Sequence, residues 1–188
     1  MSFEKDIEKC LVVLKGGGLI LYPTDTIWGI GCEATNENAV AKIYKLKERS
    51  DEKSMIVLVA DERDIMQYVA APDLSLFDYL DKTTKPTTVI YEGALGFADN
   101  LIAKDGSIAI RICKDEFCRH LIKRSGKPIV STSANISGMP TPKIFREISD
   151  EIKNGVDHIV LYRQDDERIS EPSSLIKWNN GNVTVLRP

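Results

Sequence analysis

The sequence predicts an α/β fold, one domain built as a sandwich around a twisted, largely mixed β-sheet. Three observations lead there. Short apolar runs of strand length alternate with segments of helical periodicity along most of the chain. The 188 residues suffice for one substantial core but not for two ordinary domains. Hydrophobic residues make up 43% and charged residues 28%, with both signs spread along the sequence, a composition that folds.

Taken in order, Phe3 to Lys15 places Ile7, Cys10, Leu11 and Leu14 at helical spacing, and Gly16 to Gly18 stop that helix. Leu19 to Tyr22 reads as a short buried strand. Asn36 then suits the cap of a second helix, in which Ala39, Val40, Ile43 and Leu46 form the inward stripe and whose end delivers Lys47 and Arg49. Met55 to Ala60 reads as a buried strand, and the charged stretch after it opens a helical region broken at Pro72. Thr87 to Tyr91 and Ser107 to Ile112 are strands, Glu116 to Arg124 a helix, and Pro128 to Thr132 a strand again. Phe145 to Lys153 reads as helical; His158 to Tyr162, Ser173 to Trp178 and Val183 to Leu186 read as extended.

The formal net charge of −3 argues against holding nucleic acid by bulk electrostatics, although a local basic pocket is compatible with it. Met1 to Lys9 carries charges where an export signal has an apolar core, and no apolar run approaches the roughly 20 residues that span a bilayer, so the expected location is cytoplasmic and off the membrane. Cys10, Cys32, Cys113 and Cys118 are scattered, and only the last two are close, with His120 nearby. That is half of a zinc pattern, and the expectation is reduced cysteines with no resident metal.

Chemistry concentrates in three segments. The glycines from Gly16 are not a phosphate loop, because no Lys-Ser or Lys-Thr pair follows and they precede a strand instead of opening a helix. In Tyr22-Pro23-Thr24-Asp25-Thr26-Ile27-Trp28-Gly29, a strand end offers hydroxyls, a carboxylate and an aromatic; taken alone it is equally a capped turn with Trp28 in the core. Lys47-Glu48-Arg49-Ser50-Asp51-Glu52-Lys53 sets three cations at a helix end, where most such runs are solvated, yet cations placed there can converge on a polyanion such as a triphosphate. Ser131-Thr132-Ser133-Ala134-Asn135-Ile136-Ser137-Gly138 is a loop of small hydrogen-bonding groups after a strand, suited to phosphate or ribose; by itself it reads as a polar turn.

Together these segments resemble the YrdC-like family, which includes L-threonylcarbamoyladenylate synthases. The likeness covers nearly the whole chain: Pro-Thr-Asp-Thr-x-x-Gly from Pro23, Lys-x-Arg at Lys47 and Arg49, Ser107-x-x-x-Arg111, Ser133-x-Asn135-x-Ser137-Gly138, Pro172-Ser173-Ser174, and the closing Leu186-Arg187-Pro188. Against the family pattern, Trp28 stands for a common Tyr, Ser50 for a Pro, Leu58 for a frequent His, and Thr84-Lys85-Pro86-Thr87-Thr88 for a Pro-Gly-Pro-x-Thr loop.

The resemblance implies a single YrdC-like domain over 1–188 with a concave ligand-binding face, and an enzyme of the nucleotidyltransferase class. It would condense L-threonine, bicarbonate and ATP into threonylcarbamoyl-AMP and pyrophosphate for tRNA modification, with Mg2+ expected on the triphosphate. By the same likeness, Lys47, Arg49, Ser133 and Asn135 are the catalytic set. Arg49, Lys53, Ser107, Ser133, Thr141 and Arg187 go with ATP, and Thr26, Arg111, Ser131 and Ser173 with threonine, Ser107 and Ser131 matching positions that fit either ligand. Implied partners are tRNA or double-stranded RNA and the threonylcarbamoyl-transferase proteins downstream. The alternative is a YrdC/YciO-like RNA- or nucleotide-binding protein without the synthase activity; the YciO-like paralogues typically lack the Lys and the Asn that are present here as Lys47 and Asn135.

Overall fold

A computed structural model of the chain describes residues 3–49 and 55–188. Helix α1 (Glu4–Lys15) leads into strand β1 (Ile20–Tyr22), strand β2 (Gly29–Gly31) and helix α2 (Glu37–Leu46). Then come β3 (Ile56–Val59), α3 (Glu62–Tyr68), α4 (Ser75–Lys82), β4 (Thr87–Tyr91), β5 (Ile108–Ile112), α5 (Glu116–Ser125) and β6 (Ile129–Ser133). Helix α6 (Asp150–Asn154) and strands β7 (His158–Ile159), β8 (Ser174–Asn179) and β9 (Asn182–Arg187) close the chain.

Nine strands among the described residues form one mixed sheet in the order β7-β1-β2-β6-β3-β5-β4-β8-β9. Its register decides what the two faces carry. Ser131 pairs with Ile56, Ile56 with Ala109 and Gly29 with Ser133, while Leu58 pairs with Arg111. Because side chains alternate along a strand, Gly29, Ser131, Ser133, Ile56, Ala109 and Arg111 share one face, and Val57, Val59, Ile110 and Val130 share the other. The second set is buried to 1% exposure or less and forms the core, towards which α3 and α5 pack. One face is therefore polar at its centre, where an antiparallel or mixed sheet would normally be sealed or plainly solvated.

The ends of the elements follow local rules. Asn36 accepts from the Ala39 backbone N–H at 3.1 Å and starts α2; Asp61 and Asp64 form a capping box on α3; Asp115 caps α5 at Cys118. Asp6 of α1, almost fully buried, accepts from the backbone N–H groups of Leu161 (3.1 Å) and Tyr162 (2.9 Å), and so fixes the turn that follows β7.

Several sequence expectations change. Strand β2 lies where only a turn is legible, and α4 is a separate helix beyond Pro72. The helix expected over 145–153 is a 3-10 turn (Phe145–Glu147) followed by α6, because Ser149 caps a new start at Ile152. The strand expected over 158–162 ends at Ile159, where Asp6 captures the next free amides. On α2, Tyr44 is buried while Leu46 is half-exposed.

Candidate active site

The polar face opens into a cleft of about 320 Å³, formed between β2, β6, β3 and β5 on one side and the segment 172–175 and Arg187 on the other. Among the described residues its lining holds three arginines, Arg49, Arg111 and Arg187, and no carboxylate. Six hydroxyls surround them: Thr26, Ser131, Thr132, Ser133, Thr141 and Ser173. Four larger hollows, of about 490, 650, 370 and 380 Å³, lie elsewhere; acids and bases share the lining of the first three, and the fourth sets Lys114, Arg119, Lys123 and Arg124 beside Glu116 without a serine or threonine. The smaller cleft is the one that gathers arginines and hydroxyls together.

The cations are held under electrostatic tension. Burial lowers the pKa of Arg49 below its ordinary value, and burial followed by the nearby positive charge of Arg111 lowers that of Arg187. Arg111 is 3% exposed, makes no hydrogen bond of good geometry, and has an unpartnered, buried Nε. A buried guanidinium N–H without an acceptor is costly unless a ligand supplies one.

Lys47 is 1% exposed, and its ammonium donates to the carbonyl oxygens of Ser133 and of Asn135, the latter at 2.5 Å. In return, the Ser137 backbone N–H donates to the Lys47 carbonyl at 2.8 Å. Burial, and then the charge of Arg49, lower the Lys47 pKa from 10.5 to about 8. The two sequence segments richest in cations and in small polar groups are thus joined by direct bonds.

The helix end makes this possible. Glu48 adopts φ 49°, the Arg49 N–H bonds the Tyr44 carbonyl and the Glu48 N–H bonds the Lys45 carbonyl, a Schellman closure with Glu in the position usually held by Gly. That left-handed residue turns the chain between Lys47, which is buried against β6, and Arg49, which lines the cleft.

Of the sequence-predicted residues, the cleft brings together Thr26, Arg49, Arg111, Ser131, Ser133, Thr141, Ser173 and Arg187. Three take other places. Lys47 lies behind the lining, clamping the loop. Asn135 uses its Nδ2 to donate to the Ile136 and Met139 carbonyls at 3.0 and 2.7 Å, with its Oδ1 buried and unpartnered. Ser107 lines a separate groove beside Tyr91 and Trp178, where its hydroxyl donates to Asp105 at 2.6 Å, since it precedes β5 by one residue at the strand end away from Arg111. Lys53 lies outside the described residues. Sequence reading missed Asp25, whose Oδ1 is 2.9 Å from Arg111 Nη2, and Thr88, whose hydroxyl meets that of Ser173 at 2.8 Å. Asp25 was visible within the Pro-Thr-Asp-Thr turn; Thr88 stood at the end of the segment that departs from the Pro-Gly-Pro-x-Thr loop, without a role assigned to it.

The Sua5/YciO/YrdC family model, described as telomere recombination, matches residues 12–188. A threonylcarbamoyl-AMP synthase from Idiomarina loihiensis is 34% identical over 146 residues, covering 76% of this chain and 78% of its own. Among solved structures, P. abyssi Sua5 complexed with L-threonine superposes with a TM-score of 0.86 at 23% identity, over 98% of this chain but 54% of that one. E. coli YciO superposes with a TM-score of 0.83 at 22% identity, over 98% of this chain and 89% of its own. At those identities the two structures bear on the fold alone.

Proposed function

This chain belongs to the Sua5/YciO/YrdC family, and we propose that it is an L-threonylcarbamoyladenylate synthase, a nucleotidyltransferase acting on ATP, L-threonine and bicarbonate. The observation that carries the reading is a cleft whose described residues supply three arginines, six hydroxyls and no acid, the complement of a polyanion beside a small polar carboxylate.

The reaction sets the requirements. Bicarbonate takes up a proton and loses water to give carbon dioxide, which the neutral amine of threonine captures as a carbamate, releasing a proton. A carbamate oxygen then forms a bond to the α-phosphorus of ATP, the bond from that phosphorus to the bridging oxygen breaks, and pyrophosphate leaves with the electron pair. Nucleophile and target are both negative, so the protein's task is neutralisation and alignment, with no covalent nucleophile needed. Arg49 and Arg187 suit the phosphates, and the loop of Ser133 and Thr141 suits the nucleotide. Arg111, with unmet hydrogen-bonding directions, suits the threonine carboxylate, and Thr26, Ser131 and Ser173 its remaining polar groups. Lys47 and Asn135 act from behind the lining, keeping that loop in register.

The described residues offer no group of three or more His, Cys, Asp or Glu side chains able to hold a metal. Mg2+ would therefore enter on the oxygens of the triphosphate and water, and no residue is assigned to it. No helix of the described residues is long and apolar enough to cross a membrane, in keeping with work on a soluble nucleotide and, downstream, on tRNA.

The deciding experiment is pyrophosphate release from ATP by the purified chain, with threonine and bicarbonate omitted in turn and serine as control. We expect release to require both. Serine should be discriminated by only about 1–3 kcal/mol, the usual effect of one methyl-sized contact. ATP breakdown that ignores threonine would remove the reading.

A further inference from the structure

We infer that Asp25 is the positioning residue for the amino-acid carboxylate, acting through Arg111. The inference rests on the proposed synthase reading and adds a residue to it. Arg111 lines the cleft at 3% exposure, and its one charged partner among the described residues is Asp25, with Oδ1 2.9 Å from Nη2. The contact is close, yet Asp25 Oδ1 and Arg111 Nε both lack a hydrogen bond of good geometry. Charge is therefore compensated through Nη2 while Nε keeps no acceptor. A planar guanidinium binds a carboxylate best when two parallel N–H groups face it, so its orientation has to be set from outside that edge.

Asp25 is itself fixed. Its Oδ2 accepts from the Lys114 backbone N–H at 3.3 Å, just past the end of β5, and its side chain is 11% exposed. Its turn is also held by Thr24, whose hydroxyl donates to the Ile27 carbonyl and whose own carbonyl accepts from Arg163, which in turn pairs with Asp115 at 2.6 Å. Asp25 thus couples the Pro-Thr-Asp-Thr turn to the strand that carries Arg111.

The test uses the full chain. In Asp25→Asn, KM for threonine should rise at least tenfold while KM for ATP stays within twofold, and Asp25→Glu should recover part of the loss. In an Arg111→Ala background, Asp25→Asn should change calorimetric threonine affinity by less than twofold, because its effect runs through the missing guanidinium. Threoninamide, which lacks the carboxylate, should bind wild type and Asp25→Asn alike. An unchanged threonine KM in folded Asp25→Asn, equal losses for ATP and threonine, or a full further loss in the Arg111→Ala background would each overturn the inference. Wild-type protein that releases no pyrophosphate would instead overturn the synthase reading, and calorimetric threonine affinity in the same variants would still decide the role of Asp25.

Discussion

Lys47 shows how one residue can serve a site without lining it. Its ammonium ties the Ser133 and Asn135 carbonyls to the end of α2, and burial brings its pKa down to about 8. At neutral pH the group is charged, so a step that needs the cation should fail as the pH rises through about 8. We expect kcat/KM for ATP, which reports the free protein, to fall with a midpoint near pH 8. In Lys47→Arg that limb should move up by more than about one unit, since a guanidinium keeps its proton. A pH profile of pyrophosphate release checks this, and coincident limbs in the two proteins would contradict it. Stability runs the other way. The folded value lies below the ordinary 10.5, so the contribution of this group is present above 10.5 and is lost as the pH falls through about 8.

At the scale of the element, the end of α2 carries a strain that the sequence did not announce. Glu48 closes a Schellman motif at φ 49°, a region where a side chain costs on the order of 1 kcal/mol relative to glycine. Glu48→Gly should therefore raise stability by about 0.5–1 kcal/mol, which for a chain of this size is roughly 1–4 °C in Tm, read by calorimetry. The helices were legible because their apolar residues recur at 3.6-residue spacing and because Asn36 is a plain cap. Strand β2 was not: three residues, Gly29–Gly31, show no alternation, and their place is set by neighbours. A Cβ at Gly31 would come 2.6 Å from Tyr22 Cε1 and 2.6 Å from the Val130 carbonyl oxygen, a close approach that no local pattern encodes. The same holds within the site. The segments of Lys47 and Ser133 stood out by composition, whereas the bonds joining them span 86 and 88 positions and only the sheet order creates them.

Over the whole molecule, the cleft is completed last. Its floor comes from central strands, but one wall is delivered by the crossover from β7, at one edge of the sheet, to β8 near the other, and by Arg187 at the end of β9. Arg187 donates through Nε and Nη2 to the Ser173 carbonyl at 3.0 and 2.9 Å, while the Ser173 hydroxyl meets Thr88. The final strand therefore pins the segment that closes the cleft, besides adding a cation to it. A residue that only touched phosphates would, when removed, weaken ATP alone. Because Arg187 also holds Ser173, Arg187→Ala should raise KM for both ATP and threonine, each by about tenfold if ~1.4 kcal/mol is lost. Asp25→Asn should raise only the threonine value, so parallel titrations of the two substrates separate the wall from the turn. A threonine KM left unchanged in Arg187→Ala would mean that Ser173 keeps its place without the last strand, and that the C-terminal cation acts on the nucleotide alone.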